Sequence, residues 1–520
     1  MNSSTKLAHS VIRDLIEVGV SNFVISPGSR NAPLLIALNE ASEKQLIDLH
    51  VKIDERGAAF FALGIAKASN NYAAVICTSG TAAANFHPAA LEALHSNSKL
   101  LIITADRPER LRKTGSNQTT NQVGIYSLIK THDLATTIQI KPLLNGGPVH
   151  LNVQFDEPLL SNVKDSWLSG IKVTPAEYKN NVTGKLEVTT GVLVIGHDRA
   201  GYEVSEVNEF ASKLNWPVIA EDPISFPQAI AHTPLFLSDE KIREKLAPES
   251  IIVIGRTTLS RSTNNFIQLA KKVIVIDSRI SSIDDKRQAD LLLTNLPSEV
   301  TSSSSDTKIW QNILELAASQ IKEIKWSEQL AAITICKLLP NDSALFVGSS
   351  RPVRDIEAFA APRSGVDVFA NRGLAGIDGN ISTAFGIATK YKSSSAIMGD
   401  LTFLHDISAL ANKSKENLRI YVIDNNGGGI FSTLPQAEVE NFDQLFGTPH
   451  NLDLTKVVAG FGVSVSKVSD LKQLQTAISK PIKGLDVVVV EVPSRESNAE
   501  GLKEITQRVS RAVRIGINLA

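Results

Sequence analysis

The sequence predicts an α/β fold of three doubly wound parallel-sheet domains. Short runs rich in β-branched residues alternate with longer helical patterns along the whole chain, which is typical of parallel sheets covered by helices on both faces. The 520 residues allow three or four domains of about 150 residues each. Two polar stretches, at 164–190 and 297–308, divide the alternating pattern into three parts.

The first part, predicted as a domain over residues 1–170, contains strand signals at 23–26, 73–78 and 100–104. Helical patterns rich in Ala and Leu lie between them, including one over 57–67. Each strand signal runs into Gly, Ser, Thr or Asp. Such residues are common in loops at the ligand-binding edge of a parallel sheet.

The second part, predicted as a domain over 186–298, begins with the strand signal GVLVI. The third part, predicted as a domain over 308–520, contains strand signals at 344–347, 396–398, 420–423 and 487–492. The serine run within 297–308 has no apolar face to bury, so this stretch is predicted to be a solvated connection.

Composition excludes several classes of protein. There are 53 Lys and Arg against 54 Asp and Glu, giving a net charge of −1, so no basic field exists to hold nucleic acid. No apolar run reaches the ~18 residues needed to cross a bilayer, and the first residues lack a signal-peptide pattern. We therefore expect a cytoplasmic protein without membrane insertion. The two cysteines, Cys77 and Cys336, lie among apolar residues and are predicted to be buried thiols.

Two strands of the third part end in groups suited to a divalent metal. Asp400 follows one strand, and Asn425 and Gly427 follow the next. Mg²⁺ prefers oxygen ligands, and these residues can supply a carboxylate, an amide oxygen and a backbone carbonyl, with a diphosphate supplying others. A helix predicted near Phe403 would direct its N–H groups toward that diphosphate. The alternative is that Asp400 caps a helix and that the Asn-Asn-Gly-Gly-Gly segment is a flexible turn.

These residues resemble the cofactor motif of the thiamin-diphosphate enzymes, which opens with Gly-Asp-Gly and closes with Asn-Asn. Leu401 replaces the third glycine, and the segment 402–424 is slightly short. Further motifs extend the resemblance over nearly the whole chain and are similar to the menaquinone-biosynthesis branch of this family. They are ISPGSRNAPL at 25–34, HVKIDERGAAFFALGIAKAS at 50–69, TSGTAAANFHPAALEA at 78–93, TADRPERLRKTGSNQTTNQ at 104–122, VGSSRPVRD at 347–355, ANRGLAGIDGNISTAFG at 370–386 and NNGGGIFSTLPQ at 425–436.

The resemblance implies a transferase that decarboxylates 2-oxoglutarate and adds the resulting succinyl-semialdehyde carbanion to isochorismate. The implied cofactor is thiamin diphosphate with Mg²⁺, or with Mn²⁺ in its place. The implied assembly is a homodimer or tetramer in which each site takes its first and third domains from different subunits. Another thiamin-diphosphate 2-oxoacid decarboxylase, or an enzyme like acetohydroxyacid synthase, stays open as the alternative.

The resemblance also assigns roles to cofactor-binding residues. Glu55 matches the carboxylate that hydrogen-bonds the aminopyrimidine ring and promotes loss of the thiazolium proton. Ile377 matches the bulky residue that holds the cofactor bent. On the residues alone, the better interpretation of Glu55 is a charged helix start, and that of Ile377 is ordinary core packing; burial alone would also explain Ile430, Phe431 and Leu434. The implied cofactor set is Glu55, Ile377, Gly399, Asp400, Leu401, Asn425, Gly427, Ile430 and Phe431, of which Asp400, Asn425 and Gly427 are the metal ligands.

Both implied substrates carry two carboxylates, so several cations are expected at the site. Arginine suits this role because its planar fork binds a carboxylate through two hydrogen bonds, and the arginine set argues against small uncharged acceptors. Gln118 is implied to act near the reacting centre, and Arg261 replaces a family lysine. The implied substrate set is Ser29, Arg30, Arg107, Gln118, Arg261, Ser350, Arg354, Arg372 and Leu434.

Overall fold

A computed structural model of the chain describes residues 1–161, 166–175, 184–277, 279, 287–303, 305, 307–412 and 415–519. The chain divides into two compact units. The first comprises residues 1–179, 371–392 and 404–416, and the second comprises residues 180–370, 393–403 and 417–520. Three large parallel sheets lie within the described residues, so the α/β prediction is confirmed.

The first unit is built on a parallel sheet whose strands are β1 (Asn22–Ile25), β2 (Asp48–Val51), β3 (Ala73–Cys77), β4 (Leu100–Asp106), β5 (Thr131–Leu134) and β6 (Val149–Gln154). Its order over the described residues is β2-β1-β3-β4-β6-β5. The helices are α1 (Ser3–Glu17), α2 (Ala32–Glu43), α3 (Glu55–Ser69), α4 (Thr81–Asn85) and α5 (His87–Ser96). Strands β1, β3 and β4 are buried throughout, as strands covered on both faces must be.

The central part of the chain has its strands at β7 (Lys185–Glu187), β8 (Gly191–Ile195), β9 (Val218–Ala220), β10 (Ser250–Ile254), β11 (Lys272–Ile276), β12 (Leu291–Leu293) and β13 (Glu299–Thr301). Five of them form a parallel sheet in the order β12-β11-β10-β8-β9, counted over the described residues. The helices are α6 (Val204–Leu214), α7 (Thr233–Phe236), α8 (Glu240–Lys245) and α9 (Arg261–Ile267).

The last part contains strands β14 (Ser343–Val347), β15 (Val366–Phe369), β16 (Ser394–Gly399), β17 (Leu418–Asp424), β18 (Ser464–Val468) and β19 (Leu485–Glu491). Its helices are α10 (Lys308–Ile321), α11 (Glu328–Leu338), α12 (Arg351–Phe359), α13 (Asn380–Ala388), α14 (Asp400–His405), α15 (Leu454–Gly460), α16 (Leu471–Ser479) and α17 (Arg495–Gly516). The sheet order is β15-β14-β16-β17-β19-β18 among the described strands. Numbered within their own sheets, the first and last sheets therefore share one strand order.

That shared order has a functional consequence. In each of the two sheets, the first strand lies between the second and the third, so the chain reverses its direction of winding there. In open parallel sheets, ligands bind beyond the carboxyl ends of the strands at such a point. In the last sheet this places the loops after β14, β16 and β17 at the expected ligand-binding edge.

The solvated connection predicted for 297–308 is wrong. Strand β13 lies in that stretch and pairs in parallel with β7, which lies in the other polar stretch. The serines also take part in the structure, because Ser305 Oγ donates to the Gly191 carbonyl and accepts from its N–H, both at 2.9 Å. Backbone pairing between segments distant in sequence leaves no periodic signal in either segment alone.

Both cysteines are buried, as predicted. Burial raises the pKa of the Cys336 thiol to about 12, and burial followed by the nearby Glu55 carboxylate raises the pKa of Cys77. Within the described chain, no helix is both long and apolar enough to span a membrane.

Helices α3 and α13 pack closely within the first unit. A Cβ added at Gly64 would lie 2.2 Å from the Thr383 carbonyl oxygen, and one added at Gly386 would lie 2.0 Å from the Phe61 carbonyl oxygen. Both positions therefore require glycine, because the opposing atoms are backbone and cannot rotate away. Since Glu55 begins α3, this contact holds the helix that carries it.

We predict that Gly64→Ala lowers the thermal unfolding midpoint, since forcing a methyl group into a packed contact costs about 1–3 kcal/mol. The matched control is Gly501→Ala in α17, where the added Cβ meets no described atom within 4 Å. That substitution should stabilise the helix by up to about 1 kcal/mol. Calorimetry of both variants is the measurement. A Gly64→Ala midpoint equal to that of the wild type would contradict the close packing.

Candidate active site

Asp400 joins two loops at the ligand-binding edge of the last sheet. The strand register pairs Gly399 with Ile423, so the residues that follow each of them lie side by side. The Asp400 carboxylate is buried, at 2% exposure. One oxygen accepts from the Leu401 N–H at 2.6 Å, and the other accepts from the Gly427 N–H at 2.8 Å. A single side chain thus fixes the end of β16 against the loop after β17.

Asn425 presents an unsatisfied oxygen at the same edge. Its Nδ2 donates to Oε2 of Glu328 at 3.2 Å, while its Oδ1 is buried and has no hydrogen-bond partner among the described atoms. A buried acceptor without a partner costs about 1–3 kcal/mol, and a bound cation would satisfy it. This observation favours metal binding over the flexible-turn alternative.

The glycines after Asn425 are required by close backbone contacts. Gly427 has a φ of +137°, and a Cβ there would lie 2.2 Å from the Gly447 carbonyl oxygen. A Cβ at Gly429 would lie 2.4 Å from Nδ2 of Asn425. The carboxylate, amide oxygen and backbone carbonyl offered at this edge match the ligands that Mg²⁺ prefers. The residues present therefore fit the predicted metal.

Two further titratable residues adjoin Asp400 and were missed by the sequence analysis. Nε2 of His450 lies 3.4 Å from Oδ2 of Asp400 and 3.5 Å from Oδ1 of Asp424. The Asp400 carboxylate raises the pKa of His450, and burial raises the pKa of Asp424. Asp424 ends β17 and could have been found as a strand-end carboxylate, but no local pattern marks His450.

The apolar candidates lie just after the glycine run. Ile430, Phe431 and Leu434 are each partly exposed, and the Phe431 ring lies 5.5 Å from that of Phe446. Short 3₁₀ turns at Phe431–Thr433 and Pro435–Glu438 hold this segment. The three side chains are therefore accessible beside the predicted metal ligands in sequence.

The loop after β14 carries Ser350 and leads into Arg354 on α12. Ser350 has a φ of +77°, which is uncommon for a residue with a side chain, and its carbonyl accepts from Nη1 of Arg354 at 2.8 Å. Between them, Arg351 is buried and ion-paired with Glu328 at 3.2 Å and with Asp355. Burial raises the pKa of Asp355 to about 7. A buried ionic cluster thus supports this loop.

Glu55 lies in the first unit as the first residue of α3. The side chain of Asp54 caps that helix by accepting from the Arg56 N–H at 3.0 Å. Glu55 itself is half-buried, and its carboxylate contributes to the raised pKa of Cys77 at the end of β3. The interpretation of Glu55 as a helix start is therefore correct for the backbone. The Glu55 carboxylate lies near the carboxyl edge of the first sheet, where β3 ends.

Arg107 and Gln118 are brought together at that edge. Nη1 of Arg107 donates to Ser79 Oγ at 2.8 Å and to the Gln118 carbonyl at 2.9 Å. Nε2 of Gln118 donates to the Ser79 carbonyl at 2.9 Å. Burial and then the neighbouring Arg30 lower the pKa of Arg107. Two guanidinium groups close enough to repel each other form a place where an anion would be stabilised.

A network of buried polar side chains on β4, β5 and β6 supports this arrangement. Thr104 Oγ1 donates to Oδ1 of Asn152 at 2.9 Å, so it must accept from Nε2 of His150, 2.8 Å away. Nδ1 of His150 then accepts from Thr131 at 2.9 Å. Nε2 of Gln122 also donates to Oδ1 of Asn152, at 3.0 Å, and its Oε1 accepts from the loop after β3. The network needs a neutral His150, and burial lowers its pKa to about 3.

The loop that carries Arg372 and Ile377 also belongs to the first unit. Buried Glu92 accepts from the N–H groups of Gly373 at 2.9 Å and Leu374 at 2.7 Å, so it fixes the start of the loop. Ile377 is 36% exposed. A cavity of about 370 Å³ lies beside the loop, partly lined by Glu92 and Leu374.

The two units thus divide the predicted residues between them. Arg261 stands apart from the others as an exposed residue at the start of α9 in the central part, and Ser29 is exposed after β1. In the first unit lie Ser29, Arg30, Glu55, Arg107, Gln118, Arg372 and Ile377, and in the second lie Arg261, Ser350, Arg354, Gly399, Asp400, Leu401, Asn425, Gly427, Ile430, Phe431 and Leu434.

Comparison with known families identifies the class of protein. The N-terminal TPP binding domain of thiamine pyrophosphate enzymes matches residues 5–125, the middle domain of thiamine pyrophosphate enzymes matches 161–347, and the C-terminal TPP binding domain matches 353–492. The fold and these matches together define a thiamin-diphosphate-dependent enzyme.

Curated relatives identify the family within that class. A 2-succinyl-5-enolpyruvyl-6-hydroxy-3-cyclohexene-1-carboxylate synthase of Nocardioides sp. (strain ATCC BAA-499 / JS614) is 36% identical over 96% of this chain and 97% of the relative. Synthases of the same name from Lysinibacillus sphaericus (strain C3-41) and Thermobifida fusca (strain YX) are 34% and 33% identical over at least 97% of this chain. The chain belongs to this family of synthases, and the predicted resemblance is confirmed.

We predict that His150→Gln weakens the pH dependence of stability. In the fold His150 stays neutral, while in the unfolded chain it gains a proton below a pH of about 6.5. The wild-type free energy of unfolding should therefore fall as pH drops from 6.5 to 4, by up to roughly 3 kcal/mol. Urea unfolding of both proteins across this range is the measurement. Above pH 7 the two curves should run parallel, and parallel curves down to pH 4 would contradict the neutral His150.

Proposed function

We propose that the chain forms 2-succinyl-5-enolpyruvyl-6-hydroxy-3-cyclohexene-1-carboxylate from 2-oxoglutarate and isochorismate. Membership of a family whose curated members carry that synthase name over nearly their full length supports the proposal. The observation that carries the chemistry is the unpartnered Oδ1 of Asn425 at the same sheet edge as the buried Asp400 carboxylate. These two oxygen ligands could hold the metal that binds a diphosphate.

In this proposal Mg²⁺, or Mn²⁺ in its place, is held by Asp400, Asn425 and the Gly427 carbonyl. Bound thiamin diphosphate supplies the electron sink for decarboxylation and carbon–carbon bond formation. Gly399 and Leu401 adjoin its diphosphate, and Ile377, Ile430 and Phe431 contact its rings. The hydrogen bonds that Asp400 already accepts from backbone N–H groups fix its carboxylate before any metal arrives.

Glu55 is proposed as the acid–base group for the aminopyrimidine ring. It is the first residue of α3 and is half-buried, so its carboxylate has a fixed starting point and remains accessible to the ring. Gln118 is the second proposed catalytic residue, and its contacts with Ser79 and Arg107 hold it in place near the reacting centre.

The substrate carboxylates are proposed to bind the arginines. Arg30 lies close enough to Arg107 to contribute, after burial, to lowering the pKa of Arg107, and an anion between them would relieve their repulsion. Arg354 and Arg372 are proposed to bind 2-oxoglutarate. Ser29, Ser350 and Leu434 complete the proposed set together with Arg261, whose exposed position leaves it able to reach a ligand.

We also propose the division into a pyrimidine-binding domain at 1–170, a central domain at 186–298 and a diphosphate-binding domain at 308–520. The order of the three family matches supports this division. We propose a cytoplasmic homodimer or tetramer in which one cofactor contacts Glu55 of one subunit and Asp400 of another.

The direct test incubates the protein with Mg²⁺, thiamin diphosphate, 2-oxoglutarate and isochorismate, followed by mass determination of the product. The proposed function requires the joined product and its dependence on isochorismate. Release of the decarboxylated aldehyde alone would indicate a simple decarboxylase, and turnover with pyruvate would indicate an enzyme like acetohydroxyacid synthase.

We predict that Asp400→Ala abolishes Mg²⁺-dependent binding of thiamin diphosphate, because the diphosphate then lacks the cation that offsets its charge. Titration calorimetry with Mg²⁺ and with a chelator is the measurement. Asp222→Asn, which changes another buried carboxylate of the same unit, is the control and should bind normally. Unchanged affinity in Asp400→Ala would refute the metal assignment.

We predict that Glu55→Gln keeps the fold and the cofactor affinity but lowers turnover by about two to four orders of magnitude, the range for loss of an acid–base group. Exchange of the thiazolium proton, followed by NMR, reports the affected step. Wild-type exchange in the variant would contradict the assigned role.

Refolding Glu55→Gln together with Asp400→Ala should recover activity when sites form across subunits, since a mixed dimer then contains one intact site.

A further inference from the structure

The amide of Asn425 is oriented by a neighbour that can only accept hydrogen bonds. Nδ2 of Asn425 donates a hydrogen bond to Oε2 of Glu328 at 3.2 Å, and a carboxylate paired with Arg351 offers acceptors to its other neighbours. The opposite end of the amide, Oδ1, is buried without a hydrogen-bond partner in the described chain. Rotating the amide by half a turn would place Oδ1 against the carboxylate, where two acceptors repel each other.

Glu328 is itself buried and held by several hydrogen bonds. It is 4% exposed and is the first residue of α11. Its Oε1 accepts from Nε of Arg351 at 3.2 Å and from Nε2 of Gln329 at 3.1 Å. Its backbone N–H donates to Oδ1 of Asn498 at 3.1 Å. Both carboxylate oxygens are therefore assigned, one to the guanidinium and one to Asn425.

We propose that Glu328 is a positioning residue for the metal site, one that fixes which end of the Asn425 amide faces the metal. The inference rests on the proposed metal set and extends it to a residue that does not touch the ion. Partners of this kind orient metal ligands, and their loss typically weakens metal binding about 10- to 100-fold.

The sharpest variant is Glu328→Gln, which keeps the size of the side chain. Arg351 is a donor only, so it will hold the glutamine oxygen and turn the glutamine Nε2 toward Asn425. Asn425 must then accept that bond with its Oδ1, and its Nδ2 will face the metal position. We expect the Mg²⁺ concentration that gives half-maximal thiamin-diphosphate binding to rise roughly 10- to 100-fold.

Two further variants distinguish a changed orientation of the Asn425 side chain from a general disruption of the fold. Asp222→Asn changes a buried carboxylate of the same unit that accepts from the Ser225 N–H and lies outside the Arg351 cluster, so its Mg²⁺ requirement should match the wild type. Asn425→Asp offers an oxygen at both ends of the side chain, so its orientation no longer matters, but its carboxylate then repels that of Glu328. The double variant Glu328→Gln with Asn425→Asp restores a donor–acceptor pair, and its requirement should fall below that of either single variant.

The measurement is calorimetric titration of thiamin diphosphate at a series of Mg²⁺ concentrations, with unfolding midpoints of each apoprotein as the folding check. An unchanged Mg²⁺ requirement in Glu328→Gln, while Asp400→Ala loses binding, would overturn the inference and leave the proposed function intact. Unchanged binding in Asp400→Ala would instead refute the metal assignment. If Glu328→Gln alone does not fold, the double variant compared with Asn425→Asp decides, because an equal Mg²⁺ requirement in these two proteins would contradict an action of Glu328 on residue 425.

Discussion

The hydrogen bond from the Gly427 N–H to the Asp400 carboxylate is the contact on which the proposed metal-binding edge depends. Parallel strands place all their carboxyl ends at one edge of a sheet, but the loops that follow them are free to diverge. A carboxylate shared between the end of β16 and the loop after β17 removes that freedom. The backbone groups of the second loop are thereby brought to the side chain of the first.

The surroundings of this contact are built from charges that satisfy one another away from water. Glu328, Arg351 and Asp355 form a buried cluster, and such clusters cost desolvation energy that an apolar core would avoid. The cluster is proposed to act by orienting neighbouring side chains rather than by stabilising the fold. Glu328 is held by Arg351 and accepts from Nδ2 of Asn425, while Oδ1 of Asn425 has no partner among the described atoms.

Sequence reasoning located the elements and the strand-end polar residues that local patterns mark. The strands of the first and last sheets follow from their apolar runs, and Asp400 and Asn425 follow from their positions at strand ends. Glu328 and His450 could not be found this way, because each lies far along the chain from the residues it contacts. The same limit explains the error at 297–308, where a strand forms through a partner more than a hundred residues away.

The pairing of β7 with β13 has a consequence for how the sequence can change during evolution. The backbone enters and leaves the central sheet through two neighbouring strands, with Lys185 beside Glu299. Segments whose two ends lie together can be lengthened, shortened or exchanged without straining what flanks them. The central sheet is thus connected to the rest of the chain at one place. Substitutions and insertions can accumulate within it while the loops of both flanking segments keep their positions.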